Sequence, residues 1–246
     1  MAHAPRLLVF GSTGYTGRAL VTVGRTKGLE LHAHVRPQSP SAERLLPRYR
    51  AMDVLIHEVS WTPPTIAELV RSVAPTHVFC LLGTTRKKAA AHPNSSYADV
   101  DVGMTLMVVD AVEAMSAPAR LVYLSSTGVH ENARGAYLQA RWKVEREIRS
   151  RLEDWVIAQP SFISGDDREE PRPSERIATR LGDAVLGGLG RLGLGELRDR
   201  YGSLTGRELA AGLLHHALEF GPDTRTVDAA DLRGFLRAER PGRARS

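Results

Sequence analysis

Three groups of residues in this chain have types and spacings that can do chemistry. The first is Gly11-Ser12-Thr13-Gly14-Tyr15-Thr16-Gly17, directly after the apolar run Leu7-Leu8-Val9-Phe10. A helix opening from a glycine turn offers free N–H groups and the positive end of its dipole, which together bind a pyrophosphate. Gly11 suits the tight turn, Gly14 lets a phosphate approach the backbone, and Gly17 lets helix and strand pack closely. The second group is Ser125, Ser126, Tyr137 and Arg141. Tyr137 and Arg141 are four apart, so on a helix they share a face. A phenol beside a cation, with a serine polarising the same oxygen, can give a proton to a developing alkoxide. The third is Arg36, at the end of a second apolar run that lacks any acidic residue there. A guanidinium at that point can pair bidentately with a ribose 2′-phosphate, whereas a carboxylate would hold a free 2′-OH. NADPH is therefore favoured over NADH. Arg18, in the first turn of the helix that follows the glycine turn, is a further candidate for phosphate contact.

These residues need elements to hold them. Short apolar runs predict buried strands at Leu7–Phe10, His77–Leu82 and Leu121–Leu124, and further strands are read at Leu29–Val35, Val54–Val59 and Trp155–Ala158. Helical spacing predicts helices at Arg18–Lys27, Thr65–Val73, Tyr97–Met115, Tyr137–Leu152 and Thr205–Phe220. This alternation predicts an α/β fold, a Rossmann-like doubly wound parallel sheet, which binds ligands at the carboxyl ends of its strands. Ser125 and Ser126 fall at such an end. The pattern changes after Pro160. Residues 165–174 are dense in charge and proline and read as a mobile loop, while residues 175–197 give no assignment. The expected organisation is an NAD(P)-binding domain over residues 1–164. Residues 165–246 would then be a small C-terminal, substrate-covering lobe packed on it, ending in a basic disordered tail.

Composition narrows the function classes. Of 246 residues, 42% are hydrophobic and 25% charged, which is ordinary for a globular protein. The single cysteine excludes an internal disulfide framework and fits a reducing compartment. With no secretory or membrane-spanning run in the sequence, the expected location is cytoplasmic and no membrane partner is expected. The formal charge of +5 raises nucleic-acid binding, but the basic residues are interleaved with acidic ones, so no nucleic-acid partner is expected. His215 and His216 are adjacent and point about 100° apart on a helix, and Asp99 and Asp101 read as solvated carboxylates on a helix flank. No metal site is expected.

The glycine turn, the run Phe79-Cys-Leu-Leu-Gly-Thr-Thr-Arg-Lys-Lys-Ala89, Leu124-Ser-Ser-Thr-Gly128 and Tyr137-Leu-Gln-Ala-Arg141 resemble the atypical short-chain dehydrogenase/reductases. Within them the chain is most similar to the HIV-1 Tat-interacting-protein-like oxidoreductase branch. The resemblance covers about residues 6 to 165. It implies NADPH binding and reduction of a small carbonyl compound by a serine, a tyrosine and a lysine, and leaves a homodimer open. The serine falls on Ser125 or Ser126, with Ser126 favoured, the tyrosine on Tyr137 and the lysine on Arg141. The last is a departure, because arginine is larger, planar and always protonated. It also implies that Leu82, Gly83, Thr84 and Thr85 pass beneath the adenosine and that Pro160 and Ile163 meet the nicotinamide. The missing lysine motivates an alternative reading, a non-catalytic NADP(H)-binding protein that acts through a protein partner.

Overall fold

Strands buried on both faces form the centre of the molecule, which is described by a computed structural model over residues 4–83, 97–161, 163–164, 203–221 and 223–238. Seven strands run parallel in one sheet: β1 (Arg6–Phe10), β2 (Glu30–Val35), β3 (Leu55–Glu58), β4 (His77–Cys80), β5 (Arg120–Leu124), β6 (Trp155–Gln159) and β9 (Thr224–Asp228). Their order is β3-β2-β1-β4-β5-β6-β9. Two short strands, β7 (Ile163–Ser164) and β8 (Leu204–Thr205), pair separately. The helices are α1 (Tyr15–Thr26), α2 (Ala42–Ala51), α3 (Pro63–Val73), α4 (Tyr97–Glu113), α5 (Ala136–Arg151), α6 (Gly206–Leu218) and α7 (Ala229–Ala238).

Alternate residues of each strand feed opposite cores. Leu7, Val9, Val122 and Val156 pack with Leu20 and Val21 of α1 and with Leu209, Leu213 and Ala217 of α6. Leu8, Phe10, Val78 and Ile157 face the other way, onto Ile66 of α3, Val108 of α4 and Val144 and Ile148 of α5. The chain winds outward from β1 in one direction and from β4 in the other. The crevice between these two strands, where open α/β sheets bind ligands, lies at the glycine turn.

The doubly wound parallel sheet is as expected, and its six anticipated strands are all present. Five elements were not anticipated, the helices α2 and α7 and the strands β7, β8 and β9. Helix α2 carries Pro47 in its interior, a residue that normally ends a helix by removing a hydrogen bond. Burial of Leu45, Leu46 and Tyr49 outweighs that loss. Strand β9 is an edge strand with Val227 buried and Thr224 and Thr226 exposed, so it lacks the apolar run that marks its neighbours. Helix α7 follows it directly. Residues 165–174 and 175–197 lie outside the described residues.

Helix α6 is tied at both ends. At its start, Thr205 and Glu208 form a reciprocal capping box, and the Gly206 N–H donates to the Tyr15 hydroxyl at 3.2 Å. At its end, the Ala217 carbonyl accepts from Arg120 Nη1 at 2.7 Å and lies 3.0 Å from His77 Nε2. Arg120 also donates to the carbonyls of Phe220 and Gly221, while its Nε meets Asp154 Oδ1 at 2.7 Å.

Burial of His34, with Val59 as its carbonyl partner at 3.0 Å, makes folding sensitive to acid. Desolvation pushes this histidine down to about 4, with smaller help from the nearby Arg36 charge. Between pH 6.5 and 4 the unfolded chain therefore holds a proton that the folded chain excludes. Stability is expected to fall with acid across that window, by up to about 3 kcal/mol from His34. Burial lowers His57 and His77 as well, with the same sign. Urea midpoints at pH 7 and pH 4.5 check this. His34→Gln, which keeps a donor for Val59, should flatten the dependence, and an equally steep fall in that variant would refute the assignment.

Candidate functional site

The glycine turn is built as a cradle. Gly11 has φ +80°, and a Cβ there would lie 2.6 Å from the Leu81 carbonyl oxygen. A Cβ on Gly17 would lie 2.1 Å from the Gly11 carbonyl oxygen, so helix and strand meet only because neither side chain exists. Gly14 is exposed and stands at the N-cap of α1, where no side chain caps the helix and no acidic residue occupies the first turn. The first N–H groups of α1 therefore face the turn without a competing side chain, an arrangement that fits the pyrophosphate of a dinucleotide.

The other turn residues divide by role. Ser12 is fully buried, and its Oγ donates to the His34 carbonyl at 2.6 Å. Tyr49 of α2 donates in turn to the Ser12 carbonyl at 2.6 Å. Both bonds tie the turn to β2 and α2. Burial pushes the Tyr49 phenol up to about 12, opposed by the Arg18 and Arg48 charges. Thr16 is buried, Thr13 half-buried, and Tyr15 lies against Gly206 of α6. Arg36 is exposed at the carboxyl end of β2.

The second group gathers at the carboxyl ends of β4, β5 and β6. Tyr137 is 41% exposed near the start of α5. The Arg141 guanidinium lies one turn below it, 5.4 Å from the Tyr137 ring centre and 5.5 Å from that of Tyr123. Burial pushes the Tyr123 phenol upward and Arg141 opposes this, so Tyr123 stays protonated across the physiological range. The two serines differ. Ser125 is buried and donates to Glu145 Oε1 at 2.5 Å, whereas Ser126 is half-buried with only a 3.4 Å contact to the Thr127 carbonyl. Ser126 is the hydroxyl better placed to meet a ligand.

Among the flanking positions, the Leu82 carbonyl accepts from Arg141, and Gly83 is exposed. The Pro160 carbonyl accepts from the Thr127 N–H at 3.0 Å, tying the segments after β5 and β6 together. Ile163 is half-buried and opens β7. Thr84 and Thr85 lie outside the described residues, as does Phe162.

Three residues of this cluster were missed in the sequence. Asp101, read there as a solvated helix-flank carboxylate, is largely buried, with Oδ2 3.9 Å from Arg141 Nη2. Tyr123 was hidden inside an apolar strand. Glu145, fully buried, accepts from Ser125, Gln159 and Arg149. Its signal was available: Tyr137, Arg141 and Glu145 are successive members of one four-residue stripe on α5.

Residues 7–141 match the model of the family described as "NAD dependent epimerase/dehydratase family". The chain is 25% identical over 180 residues to the protein fmp52, mitochondrial, of Emericella nidulans, covering 72% of this chain and 74% of that one. Among solved structures it is similar to a protein from Burkholderia cenocepacia assigned as an epimerase. That match has a TM-score of 0.64 and 16% identity, and covers 95% of this chain and 80% of the other. It is also similar to AtPrR2, whose structure holds NADP+ and (+)-pinoresinol. There the TM-score is 0.52 with 15% identity, over 70% of this chain and 57% of that one.

Proposed function

Because the chain belongs to the NAD dependent epimerase/dehydratase family, we propose that it is an NADPH-dependent oxidoreductase of the carbonyl reductase type, acting on a small carbonyl compound. The observation that carries this reading is the Tyr137 phenol, exposed at the carboxyl end of the sheet with a buried guanidinium against its ring. Bound NADPH supplies a hydride. Tyr137 gives its hydroxyl proton to the oxygen that becomes an alkoxide, and Ser126 orients the same oxygen. The Arg141 charge stabilises the tyrosinate left behind. The N-terminus of α1 with Gly11, Gly14 and Gly17 holds the pyrophosphate, and Arg36 with Arg18 takes the 2′-phosphate.

Within the family we place the chain among the atypical short-chain reductases, in the Tat-interacting-protein-like branch, on the run from Phe79 to Ala89. The NADP+ in the AtPrR2 structure is consistent with the preferred cofactor. Cytoplasmic residence is our reading from the single cysteine, which allows no internal disulfide and fits a reducing compartment. Among the described residues no helix is long and apolar enough to cross a membrane. We further propose a small-molecule partner, no nucleic acid or metal, and pairing as a homodimer. The arginine at 141 supports a second reading, a non-catalytic NADP(H)-binding protein working through a protein partner.

Calorimetric titration with NADPH and NADH tests the cofactor. NADPH is expected to bind at least about tenfold more tightly, and Arg36→Ala should remove most of that preference while leaving NADH unchanged. Binding of neither dinucleotide refutes both readings.

A further inference from the structure

Arg141 occupies the position at which the resemblance expects a lysine, yet its guanidinium is already engaged. It is 7% exposed. Nη1 donates to the Leu124 carbonyl at 2.8 Å and to the Tyr123 hydroxyl at 2.9 Å. Nη2 donates to the Leu82 carbonyl at 3.2 Å and faces Asp101. Leu82 follows β4 and Leu124 ends β5, so one side chain joins the carboxyl ends of two neighbouring strands. The planar fork of arginine can reach both carbonyls at once, whereas a single ammonium nitrogen cannot span them with the same geometry. Gly83 fits this arrangement independently, since a Cβ there would lie 3.2 Å from Arg141 Nη2. A side chain at 83 would crowd the fork.

We propose that Arg141 is a strut between β4 and β5 and a positioning residue for Tyr137, and that it makes no contact with the cofactor. The inference rests on the NADPH-reductase reading above and changes the role of one of its residues. The charge acts on the reaction through the Tyr137 ring, and NADPH affinity does not depend on it. Asp101 and the Tyr123 hydroxyl hold the guanidinium in place.

Two variants of the full-length chain test this, Arg141→Lys and Tyr123→Phe. The readouts are melting temperature, the NADPH dissociation constant by calorimetry, and steady-state reduction of phenanthrenequinone as a carbonyl probe. Arg141→Lys should melt at least about 5 °C lower and bind NADPH within threefold of wild type. It should lose about tenfold or more in kcat, with the KM for NADPH unchanged. Tyr123→Phe should melt lower by a smaller margin with the same NADPH affinity. An Arg141→Lys protein whose NADPH affinity falls tenfold overturns the proposal, as does an unchanged melting temperature. If that variant does not fold, Tyr123→Phe decides: a tenfold loss of NADPH affinity overturns the proposal, and a lower melting temperature with affinity retained supports it. Wild-type protein that binds no NADPH overturns the reductase reading and the cofactor clause with it. That failure appears before any substitution, whereas failure of the strut alone appears only in the variants.

Discussion

Tyr137→Phe is expected to lower carbonyl reduction by at least about a hundredfold while NADPH affinity stays within about twofold of wild type. The substitution removes one hydroxyl and keeps the ring. The contact with the Arg141 guanidinium, 5.4 Å from the ring centre, therefore survives, as does the path of α5. What is lost is the proton donor, and the developing alkoxide is left to water or to Ser126. Single-turnover reduction of a panel of aldehydes and ketones measures the effect, with NADPH titration as the control. Turnover that persists in the variant would show that another group donates the proton. An inert wild-type protein that still binds NADPH tightly would favour the non-catalytic reading.

Arg120→Met should be the most damaging substitution away from the crevice, costing about 3–5 kcal/mol. Arg120 is 4% exposed and answers Asp154 together with the carbonyls of Ala217, Phe220 and Gly221. Methionine fills similar space but leaves a carboxylate and several carbonyls without their donor, and desolvated groups left in that state carry the cost. Asp154→Asn should cost less, because its carboxyl is partly exposed and an amide retains an acceptor. Urea denaturation followed by circular dichroism reads both losses. A loss below about 1 kcal/mol for Arg120→Met would mean that the C-terminal turn of α6 does not depend on it.

How legible each part was follows from the range of the forces involved. Strands β1, β4, β5 and β6 are buried on both faces, so each had to be a continuous apolar run and was readable as one. Strand β9 sits at the sheet edge and has no such requirement, and Pro47 disguised α2. Tyr137 and Arg141 were found because helical spacing alone brings them together. Asp101 lies on a different helix, and nothing local shows that it turns inward. Ser126 was already favoured over Ser125 in the sequence, but the buried Glu145 carboxylate that engages Ser125 was not seen there. Arg120 gave no signal, since its partners at 217–221 are about a hundred residues away.

The double tie on α6 also bears on how the chain is made. The face of the sheet carrying Leu7, Val9, Val122 and Val156 is covered jointly by α1 and by Leu209, Leu213, Ala217 and Leu232. A nascent chain can pair β1 through β6 before those residues leave the ribosome, but it then holds a wide apolar surface open to solvent. Closing it joins segments almost two hundred residues apart, as Tyr15 and Gly206 are, and such distant contacts form slowly. During that interval the unfinished sheet is exposed to aggregation and to chaperone capture. Ribosome-stalled chains of increasing length should show protease resistance rising sharply once residue 232 has emerged.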